Sequence, residues 1–254
     1  DEATHGSLVT VSPRETDAGV DVYAYPHNET STGVTSPVYR VEAPDALTLV
    51  DGTSIAGAAP VDLTQVDAYY FSLQKALGSD GGLWIAVLSP AAVERAHRIE
   101  DSADGRWVPQ FLALSAAIDN SRKDQTLNTP ALATIVMAER QVRWLLERGC
   151  MDEVSAQCAQ ASSLIYDWAE ANLAVRPFVE NPTWRSPVTA TIEIDKAVSA
   201  SELAAHLRAR GIVDIGAYRG VGVNQLRIGT WPSVEIEDVE ALLGCIDYCL
   251  ERAL

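Results

Sequence analysis

The sequence predicts an α/β fold, in which a mostly parallel β-sheet is flanked by helices and a small α+β domain follows at the C-terminal end. Two observations support this prediction. Short apolar runs fill the first 90 residues, and several are nearly continuous, as in strands that are buried on both faces of a parallel sheet. Helical periodicity then takes over, and a strand–helix–strand–helix order follows residue 184.

Five apolar runs predict the strands of the N-terminal region. The runs are rich in β-branched and aromatic residues, and clusters of Gly, Pro, Ser and Thr separate them as turns. The predicted strands cover residues 8–11, 20–24, 46–50, 68–73 and 83–88.

Helix signals dominate the middle of the chain. Ser89 and Pro90 are a typical N-cap and first-turn pair. Thr129 and Pro130 open a longer predicted helix, and Gly149 ends it. The predicted helices cover residues 90–97, 129–148 and 152–171.

An irregular stretch at residues 175–184 predicts a domain boundary, because Pro177 and Pro182 interrupt the periodic pattern there. We therefore assign residues 1–176 to a large domain and residues 177–254 to a small one. The small domain is predicted to contain strands at 188–194, 211–214 and 224–229 and helices at 200–210 and 235–252.

The net charge of −16 argues against nucleic acid or an anionic membrane surface as a partner, because both require a basic surface. An anionic substrate would need a local arginine cluster against this overall field. No apolar stretch approaches the ~20 residues needed to cross a bilayer. The chain opens with polar and acidic residues rather than with a signal peptide. We therefore expect a cytoplasmic protein.

The cysteines and histidines show no ligand spacing. Because the four cysteines form no C-x-x-C pair, we expect them to pack in the core of a protein from a reducing compartment. The histidines are scattered, and we expect no metal site. The cysteines are at 150, 158, 245 and 249, and the histidines are at 5, 27, 97 and 206.

Two polar residues at the ends of apolar runs form the candidate site. Lys75 follows the run 67–73, and Asp51 closes the run 46–50. A pyridoxal-phosphate enzyme needs a lysine to form the Schiff base and a carboxylate to keep the pyridine nitrogen protonated. The spacing alone also fits a surface lysine after a strand, so it leaves both interpretations open.

Five ordered motifs extend this pattern. In their order and spacing they closely resemble the phosphoserine aminotransferase family, which is fold-type I and class V, and particularly its actinobacterial form, over essentially the whole chain. The motifs are His27-Asn-Glu-Thr-Ser-Thr-Gly33, Asp51-Gly-Thr-Ser54 followed by Pro60-Val-Asp62, Tyr70-Phe-Ser-Leu-Gln-Lys75 with Asp80-Gly-Gly-Leu-Trp84, Thr126-Leu-Asn-Thr-Pro130, and Tyr218-Arg219 with Asn224-Gln-Leu-Arg227.

The resemblance implies a pyridoxal 5′-phosphate cofactor and gives four residues roles around it. Lys75 forms the Schiff base and moves the proton, and Asp51 pairs with the pyridinium nitrogen. Gln74 binds the cofactor phosphate, and Thr30 donates near the ring oxygen.

The resemblance also implies a homodimer whose active site is shared between subunits. Asn128 and Thr129 would reach the phosphate of the neighbouring subunit's cofactor. Arg227 would bind the substrate α-carboxylate, and Arg219, with Tyr218 beside it, would receive the substrate phosphate. The implied reaction transfers an amino group between L-glutamate and 3-phosphohydroxypyruvate in L-serine biosynthesis.

Taken alone, the same residues have simpler interpretations. Asn128 and Thr129 could cap a helix, Arg219 and Arg227 could be solvated charges at strand ends, and Thr30 could form a turn. The family also has an N-terminal stretch, with a Gly-rich phosphate loop and a ring-stacking aromatic residue, that we do not find in this chain. The alternatives are therefore another class V transaminase with a different anionic substrate, or a non-catalytic fragment.

Overall fold

The computed structural model describes residues 20–43, 45–102, 107–218 and 224–253. The strand predicted at 8–11 and the candidate residue Arg219 lie outside these ranges.

The N-terminal half is built on a mixed four-stranded sheet. Its strand order is β1-β4-β5-β6, in which β1 and β5 run parallel to β4 and the edge strand β6 runs antiparallel to β5. The carboxyl ends of β1, β4 and β5 therefore meet at one edge of the sheet. This half contains β1 (Val22–Pro26), β2 (Asn28–Glu29), β3 (Val34–Thr35), β4 (Leu47–Asp51), β5 (Ala68–Ser72) and β6 (Trp84–Leu88).

A short hairpin, formed by β2 and β3, follows β1 and was not predicted. Gly33 turns the chain with φ of +74°, a conformation that side chains with a Cβ rarely adopt. The hairpin packs on the C-terminal half of the chain. Ser186 N–H donates to the Gly33 carbonyl at 2.9 Å, and Val34 forms a β-bridge with Arg185.

Four helices follow the large sheet: α1 (Pro90–Asp101), α2 (Leu114–Ser121), α3 (Leu132–Glu147) and α4 (Cys150–Ala171). The Ser89 hydroxyl accepts from Ala92 N–H, as predicted for the α1 cap. The predicted start of the longer helix is wrong. Ala131 is the N-cap residue of α3, so neither Thr129 nor Pro130 opens this helix.

The C-terminal half is an antiparallel sheet of order β7-β8-β9 that is covered by helices. Its elements are β7 (Val175–Pro177), β8 (Thr189–Ile194), α5 (Ala200–Arg208), β9 (Gln225–Gly229) and α6 (Ile236–Ala253). The strand predicted at 211–214 is wrong, because Gly211 and Asp214 take φ of +89° and +63° and turn the chain. Among the described residues that follow this turn, β-pairing with β9 is limited to one isolated bridge, between Gly216 and Leu226.

The largest apolar core lies between α4, α5 and α6 and the C-terminal sheet. The prediction that the cysteines pack in the core holds for Cys158, which is buried, but it is wrong for Cys150 and Cys245, which are exposed. On α6 the buried positions are Val239, Leu243, Ile246 and Leu250. Cys245 precedes one of these positions and therefore faces outward.

Together these elements confirm the predicted fold class, a largely parallel sheet flanked by helices with an α+β unit after it. None of the helices in the described ranges has the length and apolar character that a membrane-spanning segment requires.

Candidate active site

Asp51 lies at the carboxyl end of β4, where the parallel strands meet. Its Oδ1 accepts a hydrogen bond from Thr53 N–H at 2.8 Å, which fixes the carboxylate at the start of the following turn. Tyr69 and Tyr70 lie on the adjacent strand. Burial, and secondarily the charge of Asp51, raises the pKa of both phenols. Asp51 is therefore a carboxyl group whose orientation is fixed at the end of β4.

Lys75 lies three residues beyond β5 and is half-buried. Its neighbours Leu73, Ala76 and Leu77 are buried in the core, so the backbone of this turn is anchored. Burial, and secondarily the positive charge of Arg227, lowers the pKa of the Lys75 ammonium. A lysine of this kind reaches its nucleophilic, uncharged form more easily than a solvated lysine does.

Arg227 reaches the same place from β9 and is half-buried. Its Nη1 donates to the Thr30 carbonyl at 3.4 Å, and its guanidinium lies 4.8 Å from the ring centre of Tyr218. Burial lowers the pKa of Arg227. Arg227 thus ties the β2–β3 hairpin to the C-terminal sheet.

Lys75 and Arg227 form a pair of neighbouring cations. Among the ion pairs between described residues, none includes either side chain. A guanidinium and an ammonium that share a partly dry space attract carboxylates and phosphates. This place is therefore suited to an anion, in a chain whose overall charge is strongly negative.

Two residues of the first motif, His27 and Asn28, are buried beside Asp51, and the sequence analysis gave neither a role. His27 Nδ1 lies 3.0 Å from the Tyr69 hydroxyl, and burial lowers the pKa of His27 to about 4, so its ring is neutral at pH 7. Asn28 Nδ2 donates to Ser54 Oγ at 2.8 Å. Asn28 Oδ1 is buried without a hydrogen-bond partner among the described residues. Their position directly after β1 was the signal available in the sequence.

Trp231 is a further residue that the sequence analysis missed. Its ring centre lies 5.4 Å from Lys75 Nζ, and its Nε1–H donates to the Ser54 carbonyl at 2.8 Å. The only sequence signal was an aromatic residue just after the last strand.

The structure brings Thr30, Lys75 and Tyr218 together around Arg227, and Asp51 ends the strand next to β5. Gln74 is exposed next to Lys75. Arg219 is outside the described residues.

Asn128 and Thr129 are exposed and line a cavity of about 670 Å³ beside β6, where Trp84 and Phe111 are their apolar neighbours. The alternative that they cap a helix is not supported, because Ala131 takes the N-cap position.

The aminotransferase class-V family model matches residues 9–221. A curated relative from Mycolicibacterium vanbaalenii is 50% identical over 239 residues, which are 94% of this chain and 64% of that protein. A phosphoserine aminotransferase from Rhodococcus jostii is 47% identical over 93% of this chain and 63% of its own length. The chain thus spans under two thirds of the length of these relatives.

Solved structures agree on the fold. A phosphoserine aminotransferase from Cytophaga hutchinsonii superposes with a TM-score of 0.84 at 23% identity, covering 96% of this chain and 67% of that chain. An aspartate aminotransferase from Thermus thermophilus superposes with a TM-score of 0.77 at 22% identity, covering 94% of this chain and 66% of that chain. At such identities the likeness shows the fold alone, and it does not choose between their substrates.

Proposed function

Since the chain belongs to the class-V aminotransferase family, we propose that it carries the centre of a phosphoserine transaminase. The reaction would transfer an amino group between L-glutamate and 3-phosphohydroxypyruvate, giving O-phospho-L-serine and 2-oxoglutarate in L-serine biosynthesis. The observation that carries the proposal is the pair of neighbouring cations, Lys75 and Arg227, at the edge of the sheet where Asp51 ends β4. The identity to a phosphoserine aminotransferase, 47% over 93% of the chain, supports the choice of substrate.

We propose pyridoxal 5′-phosphate as the cofactor, because the residues of the site fit it. Lys75 offers a half-buried amine with a lowered pKa, Asp51 offers a fixed carboxylate, and buried Asn28 Oδ1 offers an acceptor that no described residue uses. Pyridoxal phosphate, when bound, supplies an electron sink for the charge that develops at the substrate Cα. Gln74 and Thr30 would donate to its phosphate and near its ring oxygen.

The chain's own residues would then handle protons and charge. Asp51 holds the proton on the ring nitrogen, and Lys75 Nζ takes the proton from the substrate Cα and later returns one. Arg227 would bind the substrate α-carboxylate with two parallel hydrogen bonds. The Tyr218 ring stacks on the Arg227 guanidinium. We assign capture of the substrate phosphate to Arg219.

We propose that the enzyme is a cytoplasmic homodimer with a shared active site. Asn128 and Thr129 would donate to the phosphate of the cofactor in the neighbouring subunit. They lie beside apolar side chains that are unusually exposed, with Trp84 at 52% and Phe111 at 73%. Exposed apolar surface of this kind marks protein interfaces. All four cysteines are free, which suits a reducing compartment.

Lys75→Ala tests the catalytic proposal. With added pyridoxal phosphate, we expect the chain to show a visible absorbance band that borohydride abolishes, because Lys75 is the amine that bonds to the cofactor. Lys75→Ala should show no such band, whereas Lys123→Ala, which changes an exposed lysine, should keep it. A band that does not depend on Lys75, or the lack of any band, would favour the non-catalytic fragment.

A second measurement separates the substrate alternatives. The fold neighbours include transaminases of different substrates, so another class V activity is the competing function. We expect the half-reaction with phosphoserine to be much faster than that with alanine, because only phosphoserine offers a phosphate. Equal rates would contradict a phosphate-specific enzyme.

A further inference from the structure

Trp231 makes two contacts that reach across the molecule. Its indole face lies 5.4 Å from Lys75 Nζ, within the distance at which an ammonium is attracted to an aromatic ring. Its Nε1–H donates to the carbonyl of Ser54, three residues beyond Asp51. One side chain of the C-terminal half therefore contacts the segments that follow β4 and β5, where Asp51 and Lys75 lie.

The residue before the indole ring is anchored, and the ring itself is closely packed. Thr230, the residue before it, is buried and bonded to the carbonyls of Val188 and Pro187, each at 2.9 Å. Gly229 leaves room for the ring, because a Cβ there would lie 2.3 Å from Trp231 Cζ3. The ring also packs against the apolar cluster that contains Leu73. A ring fixed in this way offers a defined surface and not a mobile contact.

The surroundings of Lys75 give this surface its importance. Arg227 repels the Lys75 ammonium, and no ion pair to Lys75 occurs among the described residues. Asp51 is the carboxylate on the adjacent strand end, but it is oriented by Thr53 N–H. Of the contacts described for Lys75 Nζ, the indole face is the one that attracts its charge.

We propose that Trp231 is a positioning residue for Lys75, whose indole face holds Nζ inside the site whenever the lysine is free. The catalytic part of this inference rests on the proposed transaminase function, in which Lys75 must be released and must then reach the substrate Cα. Without the ring, the freed ammonium would move away from Arg227 toward solvent. Proton transfer would then slow, while Arg227 would still bind the substrate carboxylate.

The first test needs neither cofactor nor substrate. The chain has three lysines, and Lys123 and Lys196 are exposed references for Lys75. After reductive methylation with ¹³C-formaldehyde, the methyl signal of Lys75 should lie upfield of both references, because it sits over an aromatic face. Trp231→Leu should remove the upfield shift, and Trp231→Phe should retain part of it.

The second test measures catalysis with pyridoxal phosphate bound. Trp231→Leu should lower kcat about fivefold, which corresponds to a typical ammonium–ring contact, and should change KM for glutamate less than twofold. The kcat of Trp231→Phe should lie between those of the parent chain and Trp231→Leu. If Trp231→Leu does not fold, Gly229→Ala takes its place, because its Cβ displaces the ring.

The outcomes are distinct. A Lys75 signal that coincides with the reference signals, or one that is unchanged in folded Trp231→Leu, overturns the proposal whatever the enzyme's substrate. A changed KM with unchanged kcat overturns the positioning role as well. An upfield signal in a chain without transaminase activity would support the contact and reject the proposed function.

Discussion

Arg227 is the residue at which the two halves of the site meet. Taken in isolation, its position in the sequence favoured a solvated charge at a strand end, and only the resemblance to the family gave it a role in binding. The structure shows it half-buried, stacked on Tyr218 and bonded to the Thr30 carbonyl. The contact with Thr30 joins residues that are 197 positions apart in the chain, and such a contact cannot be derived from a local sequence pattern.

Replacing Arg227 with lysine tests its role as the carboxylate ligand. We expect Arg227→Lys to raise KM for glutamate about tenfold, because an ammonium cannot form two parallel hydrogen bonds to a carboxylate. Steady-state kinetics would measure this. Arg176→Lys is the matched control, since Arg176 is exposed and pairs with Glu193 across β7 and β8. Equal KM values in both variants would contradict the assignment.

His27 makes stability depend on pH in a predictable direction. Its pKa is lowered by burial from 6.5 to about 4, so the unfolded chain binds a proton that the folded chain does not. Stability from this residue is therefore complete above about pH 6.5 and falls as the pH drops toward 4, by about 3 kcal/mol.

Urea unfolding at pH 7 and pH 4.5 would measure this loss, and His27→Asn should reduce it. His206→Asn, at an exposed position on α5, is the control that should leave the pH dependence unchanged. A loss of the same size in His27→Asn as in the parent chain would rule out His27 as its source.

At the scale of elements, the four strands of the N-terminal sheet were predicted well, because each is a short apolar run between turn residues. The short strands β2, β3 and β7 were missed. The ranges predicted for β1, β4, β5 and β6 lie within two residues of those observed. The helix α2 was missed because Ala113, its N-cap residue, provides no side-chain hydrogen bond and so leaves no start signal. The division at residues 176 and 177 falls inside β7 and stays a prediction.

The β2–β3 hairpin depends on Gly33. A Cβ at this residue would lie 2.7 Å from the backbone oxygen of Thr189, and φ is +74°. We expect Gly33→Ala to lower the free energy of unfolding by roughly 2–3 kcal/mol, because strain and a backbone clash add. It should also raise KM for glutamate, because the hairpin carries the Thr30 carbonyl that Arg227 contacts.

Gly82→Ala is the control for Gly33→Ala. Gly82 has φ of +90° but open space around the added Cβ, so only the backbone cost of about 1 kcal/mol remains. Chemical denaturation would compare the two variants. Equal losses would show that the contact with β8 contributes nothing.

At the scale of the whole molecule, the site is assembled from segments that the sequence separates widely. Trp231 and Ser54 are 177 residues apart, and so neither residue could be assigned to the site from its own neighbourhood. Lys75 and Asp51 could be predicted because parallel strands bring their carboxyl ends together. The resemblance to the family added Thr30 and Arg227, but it gave no role to His27, Asn28 or Trp231.

The exposed apolar side chains beside Asn128 predict self-association. We expect Phe111→Ser to weaken self-association in sedimentation experiments, because this ring is 73% exposed in the monomer and is available to a partner. For the same reason the ring contributes little to the stability of the folded monomer. Unfolding free energy should change by less than about 0.5 kcal/mol. Leu173→Ser, at a fully exposed site next to β7, should leave association unchanged. A chain that is monomeric at all concentrations would contradict the dimer.

Lys75 and Arg227 form no ion pair with any residue that the structure describes, and this affects how an anion would approach them. A chain with a net charge of −16 repels an anion from a distance, whereas the local field of Lys75 and Arg227 attracts it close to the site. Salt weakens the long-range repulsion most, because charges are screened beyond the Debye length, which is roughly 8 Å at physiological ionic strength. Moderate salt should therefore speed the arrival of a doubly charged substrate by shortening the reach of the repulsion. The association rate of an anion should therefore first rise with added salt and then fall, once the anions of the salt compete for Lys75 and Arg227.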